Sequence, residues 1–346
     1  MVGLFNALKR LKYLVPLLAI ALLCASCSKV PSLSSNPWEV VELPTEKTIL
    51  DITFDPKGDR GWMVGKGATL LASTDGGKTW ADQSFDFGDG NNYNLSSVSF
   101  EGDEGWVVGK PSLLLHTDDG GRNWSRIPLS NKLPGDPTQI FAIARGKAEM
   151  VTDLGAIYQT QDAGQHWKAL VQEAVGVVRN IQRSTDGRYV SVSSRGNYYS
   201  TWNPGDESWQ QHNRTSSRRL QNMGFTPDGR LWAIARGGQV QFGANSGDEE
   251  AWEELQSPEV QTSWGFLDIA YRTPEELWLA GGSGNLLYSP DGGQTWIKDR
   301  EVESVPSNLY KVSFFGTDRG FILGQEGIVL RYNSAIAPQA SDTPAA

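Results

Sequence analysis

One polar turn constrains this chain more than any other feature. In it an Asp stands five residues, and a Gly three residues, ahead of a Trp. The pattern occurs as Asp75/Gly77/Trp80, Asp119/Gly121/Trp124, Asp162/Gly164/Trp167 and Asp291/Gly293/Trp296. Two degenerate copies, "NPGDESW" and "GDEEAW", keep Trp209 and Trp252. The Trp series 80, 124, 167, 209, 252, 296 steps by 44, 43, 42, 43 and 44 residues. A near-constant period of this size predicts an all-β fold built from four-stranded antiparallel blades, a β-propeller.

Each repeat also begins alike. "ILDITF", "LSSVSF", "QIFAIA", "VVRNIQ", "LQNMGF", "FLDIAY" and "LYKVSF" read as seven innermost strands. A charged turn leads to a second strand such as "GWMVG" or "LWLAG", a tight turn to a third such as "NLLYS", and the Trp opens the fourth. Only six such Trp residues follow the seven inner strands, and the seventh repeat stops at Tyr332. The missing strand lies at the other end, where "PWEVVEL" carries Trp38, 42 residues before Trp80. Residues 38–43 are therefore expected to complete the last of seven blades, closing the ring and removing its free edges.

Local physics explains the turn. Its Asp accepts backbone N–H bonds, its Gly supplies a positive φ, and its Trp brings a large apolar area to wedge between sheets. It resembles the Asp-box of sialidases and sortilin-type propellers, which sits on the rim, far from any active site. That makes these positions structural, with a sugar- or metal-binding role as the alternative.

The N-terminus is a different kind of sequence. Lys9, Arg10 and Lys12 precede the apolar run 13–23 and then Cys24-Ala25-Ser26-Cys27, which reads as an export signal over 1–27. Small residues before Cys27 point to lipoprotein processing with Cys27 acylated, although Cys24 stands where Leu is usual. The alternatives are a plain cleaved signal and an uncleaved anchor. Cleavage there leaves no cysteine pair, so packing rather than a disulfide must supply stability. It also leaves 28 basic residues against 40 acidic ones, a net of −12 that disfavours nucleic-acid binding. Residues 28–36 read as a linker, 37–333 as the propeller and 334–346 as a disordered tail.

Catalytic patterns are missing. No ordered set of Arg, Tyr, Glu and Asp motifs supports a sialidase, although Tyr198 and Asp186 are individual candidates, and no facing carboxylate pair marks a glycosidase. His116, His166 and His212 fall in different blades without metal-ligand spacing. The reading is of a protein that is not an enzyme and carries no metal or cofactor. One stretch does depart from the background. Residues 177–236 hold nine Arg, no Lys and four acids, a local +5 within an acidic chain. Arg suits bidentate carboxylate contacts and protein interfaces.

Topology sharpens this. In an up-and-down blade the turn between strands 2 and 3 shares a face with the link to the next blade. Arg195 and Arg236 fall in such turns of blades 4 and 5, Arg214, Arg218 and Arg219 in the link between them, and Arg179 at the start of blade 4. These six are expected to converge. Arg188 and Arg230 belong to the opposite face with the Asp-turns, and Arg183 is expected to point into the channel. The bland alternative is that these arginines pair with nearby acids or stack on Tyr198 and Trp202.

The export signal with its candidate lipid Cys, the seven blades and the Arg-rich stretch together resemble the photosystem II stability/assembly factors of cyanobacteria and plastids. The likeness spans the whole mature chain, including "GWMVGKGATLLASTDGGKTW" and "GWVVGKPSLLLHTDDGGRNW". It implies a chaperone-like factor held by a lipid on the lumenal side of the thylakoid membrane. It further implies binding to the newly made reaction-centre protein PsbA and to early photosystem II assembly complexes with other assembly factors. On that reading Arg179, Arg195, Arg214, Arg218, Arg219 and Arg236, with Arg183, hold acidic segments of the precursor. A secreted glycan-binding or glycan-cleaving propeller, or a scaffold lipoprotein for another membrane complex, is the alternative.

Overall fold

Seven antiparallel sheets of four strands are formed by the described residues. The computed structural model describes residues 30–84, 87–214, 216–245, 247–258, 265–336 and 338–339. Blades 1 to 6 span 49–82, 94–126, 137–169, 178–213, 220–252 and 266–298, and each runs from inner to outer strand in chain order. Blade 7 breaks that order: its inner three strands come from 309–332 and its outermost is Trp38–Val40. Trp38 pairs with Tyr332 and Val40 with Leu330, and the Val41 N–H adds a bond to the Val329 carbonyl. The strand is shorter than 38–43, but the N-terminal closure is the one its Trp foretold. Cys27 and the rest of the expected export signal lie outside the described residues.

Packing between blades follows the Trp ruler. Trp80 of blade 1 lies edge-on to its own Phe54 and to Phe321 of blade 7. Trp124 packs with Phe100 and with Trp62 of blade 1, Trp167 with Trp106 of blade 2, and Trp296 with Trp232 and Phe242 of blade 5. Each turn thus seats its indole against the preceding blade, where burying a large aromatic is worth several kcal/mol. At Asp75 the carboxylate accepts from the N–H groups of Lys78 and Thr79 and from the Thr79 hydroxyl. Ser73 Oγ donates to the same Asp and accepts from Gly77 N. Gly77 sits at φ +82°, and a Cβ there would meet the Phe321 ring at 2.4 Å, so both backbone and space require glycine.

The pattern repeats at Asp119, Asp162 and Asp291. Gly121, Gly164 and Gly293 stand where Gly77 does. Their N–H groups donate to the hydroxyls of Thr117 (3.1 Å), Thr160 (2.9 Å) and Ser289 (2.8 Å). Each backs onto a ring of the preceding blade, Gly121 onto Trp62, Gly164 onto Trp106 and Gly293 onto Phe242. The bonds at the carboxylates favour the ionised form: Asp119 and Asp162 are each lowered to about 2, with the bond from the N–H four residues on as the largest cause. Blade 5 departs from the rule. Its outer strand, Asp248–Trp252, ends on the Trp rather than starting from it, because the hairpin turns tightly before Asp248.

Two further differences concern segments outside the blades. Residues 30–36 do not act as a free linker. Lys298 N donates to Pro31 O, Leu33 N donates to Lys298 O, and Leu33 packs on the cluster around Trp38 and Trp278. The apolar Val30 and Leu33 find partners on blades 5 to 7, which composition could not reveal. At the other end Gln339 accepts from Ser34 N, while 340–346 lie outside the described residues.

Candidate partner-binding face

A β-bulge near the start of each inner strand turns one aligned side chain toward a neighbouring blade: Asp51, Ser97, Gln139, Asn180, Asn222, Asp268 and Lys311. Val98 N donates to Asp51 (2.9 Å), Ile140 N to Ser97 Oγ (3.4 Å), and Gln139 Nε2 to Ile181 O (2.7 Å). Asn222 Nδ2 donates to Asp268 (3.0 Å), Val312 N to Asp268 (2.9 Å), and Lys311 Nζ to Asp51 (2.5 Å). Full burial raises Asp268 to about 6. The junction of blades 4 and 5 is different. Met223 N bonds its neighbour Asn222 instead of reaching Asn180, whose buried Oδ1 has no partner among the described residues. These residues line a central channel of about 1510 Å³. A polar residue at one aligned place in all seven repeats was the signal that sequence reading passed over.

That same junction carries the arginines. At its link-side end Arg219 Nη1 donates to Arg195 O (3.1 Å), Arg218 Nη1 to Arg236 O (3.3 Å), and Arg214 Nη1 to Arg218 O (3.1 Å). Arg236 N donates to Arg219 O, and Arg179 bridges the blades through Gln221 Oε1 (2.8 Å) and Ser194 O (3.0 Å). The structure therefore brings together all six arginines placed there by topology. Five are exposed; Arg214 is half-buried, and that burial lowers its pKa. Exposed Val177, bonded through its carbonyl to Ser194 N, adds an apolar side chain beside them.

Their chemistry differs from that of the other arginines in the stretch. Among the described residues none of the six makes an ion pair. Arg188 pairs with Asp186 at 2.9 Å, and Arg230 with Asp228 at 2.8 Å and Glu253 at 2.7 Å. Arg188 also reaches blade 5 at Gly229 O, among the strand 1–2 turns. Arg183 lines the channel as expected, but Glu149 neutralises it at 2.8 Å and Phe141 and Tyr189 flank it. It is separate from the cluster of six. Each guanidinium has five donors in a rigid fork; the bonds above engage one or two of them in Arg179, Arg214, Arg218 and Arg219 and none in Arg195 and Arg236. Six cations without carboxylate partners among the described residues have donors free for the oxygens of a polyanionic or carboxylate-rich segment.

The Asp-turns take no part in either feature. Gly77, Gly121, Gly164 and Gly293, with the Asp and Trp of each turn, neither line the channel nor bond to the arginine cluster. The Asp carboxylates and the Gly N–H groups spend their bonds within the turn, while Trp296 Nε1 donates to Gln256 Oε1 on blade 5's side at 3.1 Å.

The three histidines also find carboxylates. His116 lies 2.9 Å from Glu104 and His166 2.6 Å from Asp162. His212, on the outer strand of blade 4, lies 2.9 Å from Glu250 and 3.4 Å from Glu249 on that of blade 5. It clamps the same junction from its outer edge.

Comparison with known proteins supplies the context. Residues 30–333 match the family described as Photosynthesis system II assembly factor YCF48. The chain is 57% identical over 330 residues to the photosystem II assembly lipoprotein Ycf48 of Trichormus variabilis, covering 95% of this chain and 96% of that one. It is 57% identical over 332 residues to the photosystem II assembly protein Ycf48 of Thermosynechococcus vestitus, covering 95% of each. Among solved structures, YCF48 bound to D1 peptide superposes with a TM-score of 0.85 at 56% identity, covering 88% of this chain and all of that one. YCF48 from Cyanidioschyzon merolae gives 0.80 at 39% identity, covering 87% and 99%.

Proposed function

The chain belongs to the YCF48 family of photosystem II assembly factors, and on that premise we propose that it is a non-enzymatic assembly factor whose six-arginine face holds newly made D1, the PsbA protein. Residues 1–27 direct export, Cys27 carries the lipid that holds the mature protein on the lumenal side of the thylakoid membrane, and the propeller from 37 to 333 presents the face. PsbA, in early assembly complexes with other assembly factors, is the partner.

The observation that carries this reading is the absence of acidic partners around Arg179, Arg195, Arg214, Arg218, Arg219 and Arg236 among the described residues. A cluster of like charges is unfavourable to the fold and is kept where something else neutralises it. The likeness to a YCF48 solved with a D1 peptide supports the choice of partner. Peptide carboxylates would take the free guanidinium donors as charge-assisted hydrogen bonds, and Val177 would meet an apolar neighbour. Salt screens such contacts, which suits a partner that must later be released.

The test uses Arg195→Glu/Arg236→Glu, two positions whose side chains donate none of the bonds given above. Capture of PsbA precursor, and binding of its acidic lumenal peptides by fluorescence anisotropy, should fall at least about tenfold with an unfolding midpoint no lower than that of the native protein. Unchanged binding would overturn the assignment of the face.

A further inference from the structure

The segment next to the lipid site is tied to the propeller's outer edge. Lys298 N donates to Pro31 O at 2.7 Å, Leu33 N donates to Lys298 O at 2.9 Å, and Arg300 Nε donates to Ser32 Oγ at 2.5 Å. Ser32 thereby sits parallel to Lys298, a fifth backbone on the outside of blade 6. Val30 packs on the cluster of Trp232, Phe242 and Trp296, in a cleft whose lip carries Leu255. Leu255 is one of few large apolar side chains left exposed among the described residues, and the backbone of Gln256 beside it is bonded to Val240 in both directions. This edge is rigid, partly apolar and joined directly to the start of the mature chain.

Chain length turns that contact into an orientation. Two residues, Ser28 and Lys29, lie between Cys27 and Val30, so the three chain steps reach about 11 Å when fully extended. Four strands at the usual spacing make a blade about 14 Å wide, and the opposite rim lies two blade widths plus the channel away. A lipid on Cys27 is thus confined to the outer edge of blades 5 and 6. We propose that this edge is the membrane-facing surface, so that the propeller stands on its rim and the arginine face opens sideways along the bilayer. The inference rests on lipidation of Cys27.

Charge decides between standing and lying flat. The Asp-turn face presents exposed Asp59, Asp103 and Asp118, and the opposite face presents the six arginines. Either would have to be desolvated against the bilayer, whereas the rim offers Leu255. Glu253 and Glu254 flank Leu255, so the edge rests among headgroups without penetrating deeply, and the surface it suits is one of mostly uncharged lipids.

The mature chain has no cysteine besides Cys27, so one introduced thiol is the sole labelling site. Lipidated protein carrying Ser257→Cys at the rim, Ser217→Cys on the arginine face or Arg122→Cys on the Asp-turn face would each be labelled with a fluorophore. Each would then be placed in phosphatidylcholine vesicles containing nitroxide-headgroup lipid. Quenching at 257 should exceed that at 217 and 122 at least about threefold, and a ten-residue Gly/Ser insertion after Ser28 should abolish the contrast. Equal quenching at the three sites, or stronger quenching at 122 or 217, would overturn the orientation while leaving the anchor intact, and a contrast that survives the insertion would overturn the short tether as its cause. Absence of an acyl mass on Cys27 would overturn the anchor itself, and with it this proposal.

Discussion

Lys311 on blade 7 and Asp51 on blade 1 stand 260 residues apart in the chain, yet the Lys311 ammonium donates to the Asp51 carboxylate at 2.5 Å. The pair carries the belt of side-chain bonds along the channel across the seam where the two ends of the chain meet, while the belt stays open between blades 4 and 5. Asp51 also accepts from Val98 N and so links blades 7, 1 and 2. Replacing Lys311 by Met strands the carboxylate and should destabilise the fold by about 2 kcal/mol, less than a fully buried pair because the lysine side chain is about a third exposed. Adding Asp51→Asn should recover part of that loss. Urea unfolding of the single and double variants measures both, and additive losses would exclude the coupling.

The Asp-turns should behave as structural stitches. Trp80→Ala removes an almost buried indole between blades 7 and 1 and should cost about 3–5 kcal/mol. Asp75→Ala frees four donors of a surface turn and should cost about 1–2 kcal/mol. Below their unfolding midpoints both variants should bind PsbA peptide normally, since the arginine cluster lies on the other face.

The arginine face should trade stability for binding. Arg236→Gln relieves repulsion among six cations and should raise the melting temperature by one to two degrees, roughly, at low ionic strength. The gain should vanish in about 1 M salt, where screening shortens to about 3 Å. Peptide affinity should fall in the same variant. A melting temperature that drops at low salt would mean that Arg236 serves the fold.

His212 should give the junction of blades 4 and 5 a pH dependence. Glu249 first, then Glu250, hold the imidazole above its ordinary value of 6.5 against the opposing effect of burial. Tyr199 stacks on the ring, Thr201 Oγ1 lies 2.7 Å from Nε2, and the Arg214 charge is felt at Tyr199. A group whose pKa is raised by folding stabilises fully below its ordinary value and loses that contribution as pH rises through the raised one. The gap in urea midpoint between the native protein and His212→Gln should therefore be wider near pH 5.5, roughly, than near pH 9. A gap that widens with rising pH would contradict the clamp.

The fold was largely legible because its determinants are local and repeat. A Trp every 42 to 44 residues, with an Asp and a Gly at set offsets, needs only one turn to explain it, and counting then placed Trp38 in blade 7. Blade 5 was misread at its outer strand because "GDEEAW" lacks the Asp–Gly spacing that starts the strand at the Trp. The six arginines were located by turn topology alone. Their lack of carboxylate partners was not legible, since Arg188 and Arg230 belong to the same stretch and are paired.

What the sequence by itself determined, then, was the number of blades, the strand that closes the ring and the end of each blade on which an arginine falls. These follow from hydrogen bonds and side-chain alternation within about ten residues. Only the tertiary structure decided which charges are neutralised, that Arg183 belongs to Glu149, and that residues 30–33 lie along blade 6 instead of hanging free. Those outcomes depend on groups tens to hundreds of residues apart. Coulombic and packing energies act through distance in space, and distance along the chain does not record them.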